Sequence, residues 1–359
     1  MAASTLTEVA RLAGVSPATA SRVLNGSART PGPDIAERVR NAAESLGYIP
    51  NAQAQGLAKS SSGLLGLIVH DIADPYFSAI ARGVQDAARE QGKMVLLATT
   101  GGTPADERVA VAAFAARRAD SIVIAGSRST RPADQDGNAE LAAELDRYCR
   151  NGGRVGVVGH PVVGASASEG YHVVAVPNEE LAAELARQLA ANHAQEFVIV
   201  AGPEGLLTSD DRVRGFQKGL AAAGKPPAEV MHSGFDRAGG YEAGQLLAAR
   251  IKADQASGAA SSRPCIFAVN DVMAIGAAAA LRSEGLRIPR DASVAGFDDI
   301  ETLRDFRPAL STVRLPLEEI GRLAALGTAG NSAADVSAGA VTGQVTLRRS
   351  TETPPQVAA

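Results

Sequence analysis

Polar side chains collect where the apolar runs of this chain end. Asp71 and Asp74 follow LLGLIV at 64–69, Asn270 and Asp271 follow CIFAV at 265–269, and Asp298 and Asp299 follow SVAGF at 293–297. Carboxylates and amides at the C-terminal ends of strands are natural partners for hydroxyl groups, and open α/β sheets bind their ligands there. Rings accompany them: Tyr76 and Phe77 after the first run, and Phe235 after a short strand near 229–232. Aromatic faces beside hydroxyl acceptors suit a polyol or sugar. Taken singly, Asp74, Asp271 and Asp299 serve equally well as helix caps, so the cluster carries more weight than its members.

Catalytic chemistry has no starting residue. Gly219 to Lys225 has the spacing of a phosphate loop, but Pro226 stands where the Mg-binding hydroxyl belongs, and the segment ends a helix instead of following a strand. No Gly-x-Ser-x-Gly elbow occurs, and no Gly-x-Gly-x-x-Gly follows the early strands. Cys149 and Cys265 are far apart and the five histidines show no ligand spacing, so neither a disulfide framework nor a metal site is expected. The reading is a binding protein, not an enzyme, with no cofactor.

A second stretch able to do chemistry is TLTEVARLAGVSPATASRVLN at 5–25. Thr5 and Glu8 form a capping box, Leu6, Val9, Ala10 and Ala13 share one helical face, and Gly14 allows the left-handed turn that ends the helix. Ser16 and Pro17 then suit the N-cap and first position of a second helix, whose inner face is Ala20, Val23 and Leu24. Its outer face is small except for Arg22. This is a helix-turn-helix, and an arginine near the leading end of the second helix can grip guanine O6 and N7 in a major groove.

The elements that must carry these groups follow in order. A third helix opens at Pro33 and closes at Gly47, completing a small head over residues 1–48. Residues 49–62 read as a hinge: Asn51 is a candidate N-cap, Gly56 interrupts the helical pattern, and Ser60 to Gly63 is flexible in composition. From 63 to 359, short apolar runs alternate with helical patterns, as in buried parallel sheets. The alternation restarts after Gly164–Gly170 with VVAV at 173–176, so two lobes are expected. Lobe 1 is about 63–162 and 292–322, and lobe 2 about 163–291 and 323–350, with a final strand at 341–349 and an irregular tail.

The chain has 359 residues, with 35 Lys and Arg against 39 Asp and Glu. Residues 1–60 carry a net +2 and the rest a net −6. A basic head on an acidic body suits a nucleic-acid partner. The N-terminus lacks the pattern of a signal peptide and no apolar run is long enough to span a membrane, so the expected place is the cytoplasm.

With head, hinge and bilobed body in this order, the chain resembles the lactose-repressor/galactose-repressor (LacI/GalR) family of bacterial transcriptional regulators. The resemblance rests on the helix-turn-helix above and on LGYIPNAQAQGLA, GLIVHDIADPYF, AGP with DRVRGF, FAVNDVMAIGA and GFDDIETLRDFRPALSTVRLPLEEIGR. It implies an α/β fold with an N-terminal three-helix head and a bilobed, periplasmic-binding-protein-like body. It also implies a homodimeric repressor of double-stranded operator DNA, controlled by a small, sugar-like effector. Carried over by residue, base readers are Pro17, Ala18 and Arg22, and phosphate contacts are Thr5, Ser16, Thr19, Ser21 and Asn25. Leu57 is a minor-groove wedge with Ala54 beside it. Effector contacts fall on Asp71, Tyr76, Phe77, Thr208, Arg212, Phe235, Asn270 and Asp298. Two departures alter the expected hydrogen-bond set: Val176-Pro177-Asn178 stands where relatives often have Val-Asp-Asn, and Val158-Gly159-His160 lacks the usual aspartate. No leucine heptad extends the C-terminus, which favours a dimer over a tetramer. A sugar-binding transport or sensory protein shares this body, but it would carry a signal peptide and no helix-turn-helix.

Overall fold

The computed structural model describes residues 4–25, 31–49, 61–166, 169–191, 196–257, 263–329 and 341–352. The hinge residues Ala54, Gly56 and Leu57 lie outside the described residues. Two compact units divide between Gly63 and Leu64.

In the first unit, α1 (Leu6–Ala13), α2 (Pro17–Leu24) and α3 (Pro33–Ser45) pack on one another. Thr5 and Glu8 make both bonds of the capping box, and Gly14 takes φ 66° at the corner. Ser16 Oγ accepts the Thr19 N–H, and Pro17 opens α2. Val9, Ala10, Ala13, Ala20, Val39, Ala42 and Ala43 form the buried core. So small a core stabilises only modestly, and the caps supply a correspondingly large share.

The second unit contains two parallel sheets. The first, in the order β2-β1-β3-β4-β5, is built from β1 (Leu64–Val69), β2 (Met94–Thr99), β3 (Ser121–Ala125), β4 (Arg154–Val158) and β5 (Tyr171–Val174). The second, in the order β7-β6-β8-β9, is built from β6 (Phe197–Ala201), β7 (Glu229–His232), β8 (Cys265–Ala268) and β9 (Ser293–Ala295). The helices are α4 (Pro75–Glu90), α5 (Pro104–Ala116), α6 (Gln135–Arg150), α7 (Asn178–Ala191), α8 (Leu207–Ala222), α9 (Arg237–Ala256), α10 (Asp271–Ser283) and α11 (Leu317–Gly327). A short antiparallel pair joins β10 (Thr312–Arg314) to β11 (Gln344–Thr346). β3, β6 and β8 are buried throughout, which is why their sequences read as unbroken apolar runs.

The lobe boundaries differ from the sequence expectation at both crossings. The segment at 173–176, taken as the first strand of lobe 2, begins inside β5, which ends at Val174 and pairs with β4 in the first sheet. The strand at 293–297, assigned to lobe 1, contains β9, which pairs with β8 in the second. α11 packs against α4 of the first lobe, although half of it lay in the segment given to lobe 2. The alternation of apolar runs counts elements without revealing their partners, and each of these segments sits at a crossing where the partner changes.

The α4–α11 contact is close enough to need glycine on both sides. A Cβ on Gly83 would fall 1.8 Å from the Glu318 carbonyl oxygen, and one on Gly321 would fall 2.1 Å from that of Ile80. Gly83→Ala must push the helices apart and should destabilise the second unit by about 1–3 kcal/mol. Urea unfolding followed by circular dichroism measures this, and an unchanged midpoint would show that the helices have slack.

Candidate functional site

A cavity of about 960 Å³ lies between the lobes. Its walls are the segments that leave the C-terminal ends of the strands of both sheets. In each sheet the chain order reverses between the first strand and its third-numbered neighbour, so the loops diverge there and leave a crevice. All eight residues named for the body line it: Asp71, Tyr76, Phe77, Thr208, Arg212, Phe235, Asn270 and Asp298.

At its floor stands Arg212, only 2% exposed. Nε donates to Asn178 Oδ1 at 2.9 Å, Nη1 to the Val269 carbonyl at 2.7 Å and Nη2 to Asp298 Oδ1 at 2.8 Å. The guanidinium also stacks over Phe297, 3.9 Å from the ring centroid. The neighbouring acids turn elsewhere. Asp210 accepts the Gly205 N–H, and Asp211 pairs with His160 and Arg214. Three of the five guanidinium N–H groups are therefore held by the protein before any ligand arrives.

Asp298 takes φ 114° and Asp299 φ 56°, two left-handed residues in succession without glycine. The surroundings enforce them: Asp298 N–H bonds the Val313 carbonyl, and Asp299 is gripped by Arg314 and Arg348. Burial raises the Asp298 carboxyl to about 6, outweighing the opposing charge and hydrogen bond of Arg212, while Asp74 pushes in the same direction as burial. Burial likewise raises Asp271, well above the usual carboxylate range, with Asp298 adding to the effect. Asp271 does not cap α10. It accepts Thr312 Oγ1–H and the Ile300 N–H from the crossing segment, and Asn270 is the N-cap. Asp74 does cap α4, whereas Asp299 forms ion pairs.

The rings cover the walls. Tyr76 and Phe77 meet edge to face at 5.0 Å, and Phe235 lies so close over Gly202 that a Cβ there would be 2.7 Å away. Thr208 N–H reaches across to Ser127 Oγ, one of several bonds between the loops of the two lobes: Thr130 N–H donates to Gly205 O, and Leu207 N–H to Arg128 O. The two segments that depart from the family pattern supply groups at the same junction. Asn178 orients Arg212, and His160 bonds Asp211 at 2.7 Å. The sequence reading passed over His70, Glu107, Ser127 and Arg128; His70 directly follows the apolar run of β1, the one signal that marked it.

In the first unit, Pro17, Ala18 and Arg22 are exposed on α2, as are Thr5 and Ser16 at the helix starts. Thr19 and Ser21 are half-buried, Thr19 Oγ1 bonding Ser16 Oγ and Ser21 Oγ accepting Asn25 Nδ2–H. Ser16, Pro17 and Ala18 stand at the N-terminal end of α2, where backbone N–H groups favour anions such as phosphate, while Arg22 lies in its last turn and Asn25 is its C-cap.

The raised Asp298 carboxyl has a signed consequence. The folded protein keeps this proton up to about pH 6 and an unperturbed aspartate releases it near 3.8, so the folded state binds more protons in between. Stability contributed by the neutral acid is thus lost as pH rises through that window. Relative to Asp298→Asn, the wild type should lose about 2 kcal/mol between pH 4 and pH 7. A pH series of denaturant titrations on both proteins tests this; a constant difference would mean that the carboxyl titrates normally.

Comparison with known proteins agrees with both units. Residues 5–51 match the model of bacterial regulatory proteins of the lacI family, and residues 186–350 match that of a periplasmic binding protein-like domain. The transcriptional regulator GalS of Salmonella typhimurium is 32% identical over 323 residues, covering 89% of this chain and 87% of that protein. The ribose operon repressor of Haemophilus influenzae is 30% identical over 324 residues, covering 89% and 90%. The lac repressor dimer bound to operator and an anti-inducer shares the fold, with a TM-score of 0.77 at 22% identity over 98% of this chain and 100% of that one. The chain belongs to the LacI family of bacterial regulatory proteins.

Proposed function

We propose that this chain is a cytoplasmic, homodimeric repressor that reads a near-palindromic operator through α2, and whose operator affinity is set by a small sugar-like effector bound between the lobes. The observation that carries the reading is the cleft itself: acceptors for hydroxyl groups, aromatic walls and a buried arginine converge between two lobes of a chain whose other unit presents a recognition helix. A molecule that touches Tyr76 and Thr208 together touches both lobes, so its binding energy can bias their placement. Coupling of this kind requires the effector to favour one arrangement over the other.

Dimer formation has its own support. β2 is an edge strand, and it exposes Met94 (66%) and Leu97 (47%). Apolar side chains along an open edge are a liability unless something covers them, and a second copy supplies a symmetric partner whose two heads match a two-fold site. Ala54 and Leu57 of the hinge are proposed to enter the minor groove at the centre of that site.

Operator selection from random duplex DNA, followed by titration with sugars and sugar phosphates, tests the whole reading. Within it, Arg22→Ala should cost about 1–3 kcal/mol at one base position in each half-site and relax the preference there. An equal loss on operator and random DNA would reduce Arg22 to a phosphate contact.

A further inference from the structure

His70 follows β1 and lines the cleft. Its ring centroid is 5.5 Å from that of Phe77. Gly102 and Gly126 hold its two edges: a Cβ at 126 would fall 2.0 Å from Nε2, and one at 102 would fall 3.0 Å from Nδ1. The imidazole therefore occupies a slot that glycine alone leaves open. Nε2 is buried without a hydrogen-bond partner and lies 3.6 Å from Glu107 Oε1. Glu107 is itself buried, both oxygens gripped by the Arg128 guanidinium, which is anchored in turn on the Gly126 carbonyl.

The geometry decides what the ring offers. A neutral imidazole has one N–H donor and one bare acceptor, and a neighbouring group fixes which nitrogen is which. A carboxylate held rigidly beside Nε2 draws the proton there, as outer carboxylates do for metal-binding histidines. Nδ1 is left as the acceptor, and it is the nitrogen that is not sealed from the cleft. We propose that His70 is a specificity-determining effector contact: it presents Nδ1 as a hydrogen-bond acceptor to a hydroxyl or amine of the bound molecule, and the Glu107–Arg128 pair is the positioning group that holds it in that tautomer. The inference rests on the cleft being an effector site. It adds to that site an acceptor without a negative charge, beside the carboxylates Asp71 and Asp298, and so favours ligands with a donor at the wall formed by the first lobe.

Two arms test it on the full-length protein. In the first, D-ribose, D-galactose and cellobiose are titrated calorimetrically against wild type, His70→Asn, His70→Gln and His70→Phe. The asparagine amide lies where Nδ1 lies and the glutamine amide where Nε2 lies, while phenylalanine keeps the ring and removes both nitrogens. For a sugar that binds the wild type, the Asn variant should stay within about threefold, and the Gln and Phe variants should weaken about tenfold. Undiminished binding by the Phe variant, or equal binding by Asn and Gln, would overturn the assignment. In the second arm, nitrogen NMR of the ligand-free protein should show the His70 proton on Nε2; a proton on Nδ1 overturns the proposal. This arm needs no ligand. If none of the three sugars binds, the effector class has failed, and the tautomer still decides the role of His70.

Discussion

The second unit depends on one buried cation. Arg212 extends from α8 beneath the cleft and joins three chain segments: Asn178 at the entry to the second lobe, Val269 at the end of β8, and Asp298 where the chain leaves that lobe. Two of these are places where the chain crosses between lobes. One hydrogen-bonded cluster thus ties the two crossings together. A cation this deep is tolerable only because every direction it faces is polar or aromatic, and Asp298 in turn owes its charge at neutral pH to Arg212. Removing the arginine alone would leave a buried carboxyl with no counter-charge. Arg212 is thus a structural hub as well as a cleft residue, and an alanine there would disturb more than ligand contact.

The rest of the cleft is arranged around that cluster. Asp298 and Asp299 hold left-handed conformations that cost free energy without glycine, and they persist because Val313, Arg314 and Arg348 bind them from the crossing strand and from the segment after β11. On the opposite side, Ser127 Oγ and the Arg128 carbonyl accept from the first N–H groups of α8 across the lobe boundary, supplying N-terminal acceptors that α8 lacks in its own sequence, and Thr130 donates to the Gly205 carbonyl just before the helix. The buried Glu107–Arg128 pair stiffens the loop that makes those bonds. The two lobes are therefore coupled on both flanks of the cavity, and a ligand within it acts on a junction that is already bonded.

Much of this was legible in the sequence, for physical reasons that also explain the misses. Thr5, Gly14, Ser16 and Pro17 are local signals whose effects depend on near neighbours, and each stands where its chemistry puts it. Asp71, Tyr76, Phe77, Phe235, Asn270 and Asp298 were marked by their positions after strands, a rule of sheet topology that survives ignorance of strand order, whereas Thr208 and Arg212 came only from the family resemblance. Strand partners were not legible: β5 and β9 each pair across a crossing, and nothing in VVAV or SVAGF says which sheet it joins. For Asp271 the sequence left capping and ligand binding open, because its actual partners, Thr312 and Ile300, lie 41 and 29 residues away in sequence. His70, Glu107 and Arg128 escaped for the same reason, since each looks like an ordinary surface residue until the fold brings the three together.

The claim most exposed to test is that Arg212 and Asp298 act as one unit. A double-mutant cycle of Arg212→Met and Asp298→Asn, followed by denaturant unfolding of the second unit at pH 7.5, measures their coupling directly. The account predicts a coupling energy of about 2 kcal/mol or more, with the double variant more stable than the sum of the single losses allows. Losses that add to within about 0.5 kcal/mol would mean that the two groups are independent, and that the lobe junction is held by something else.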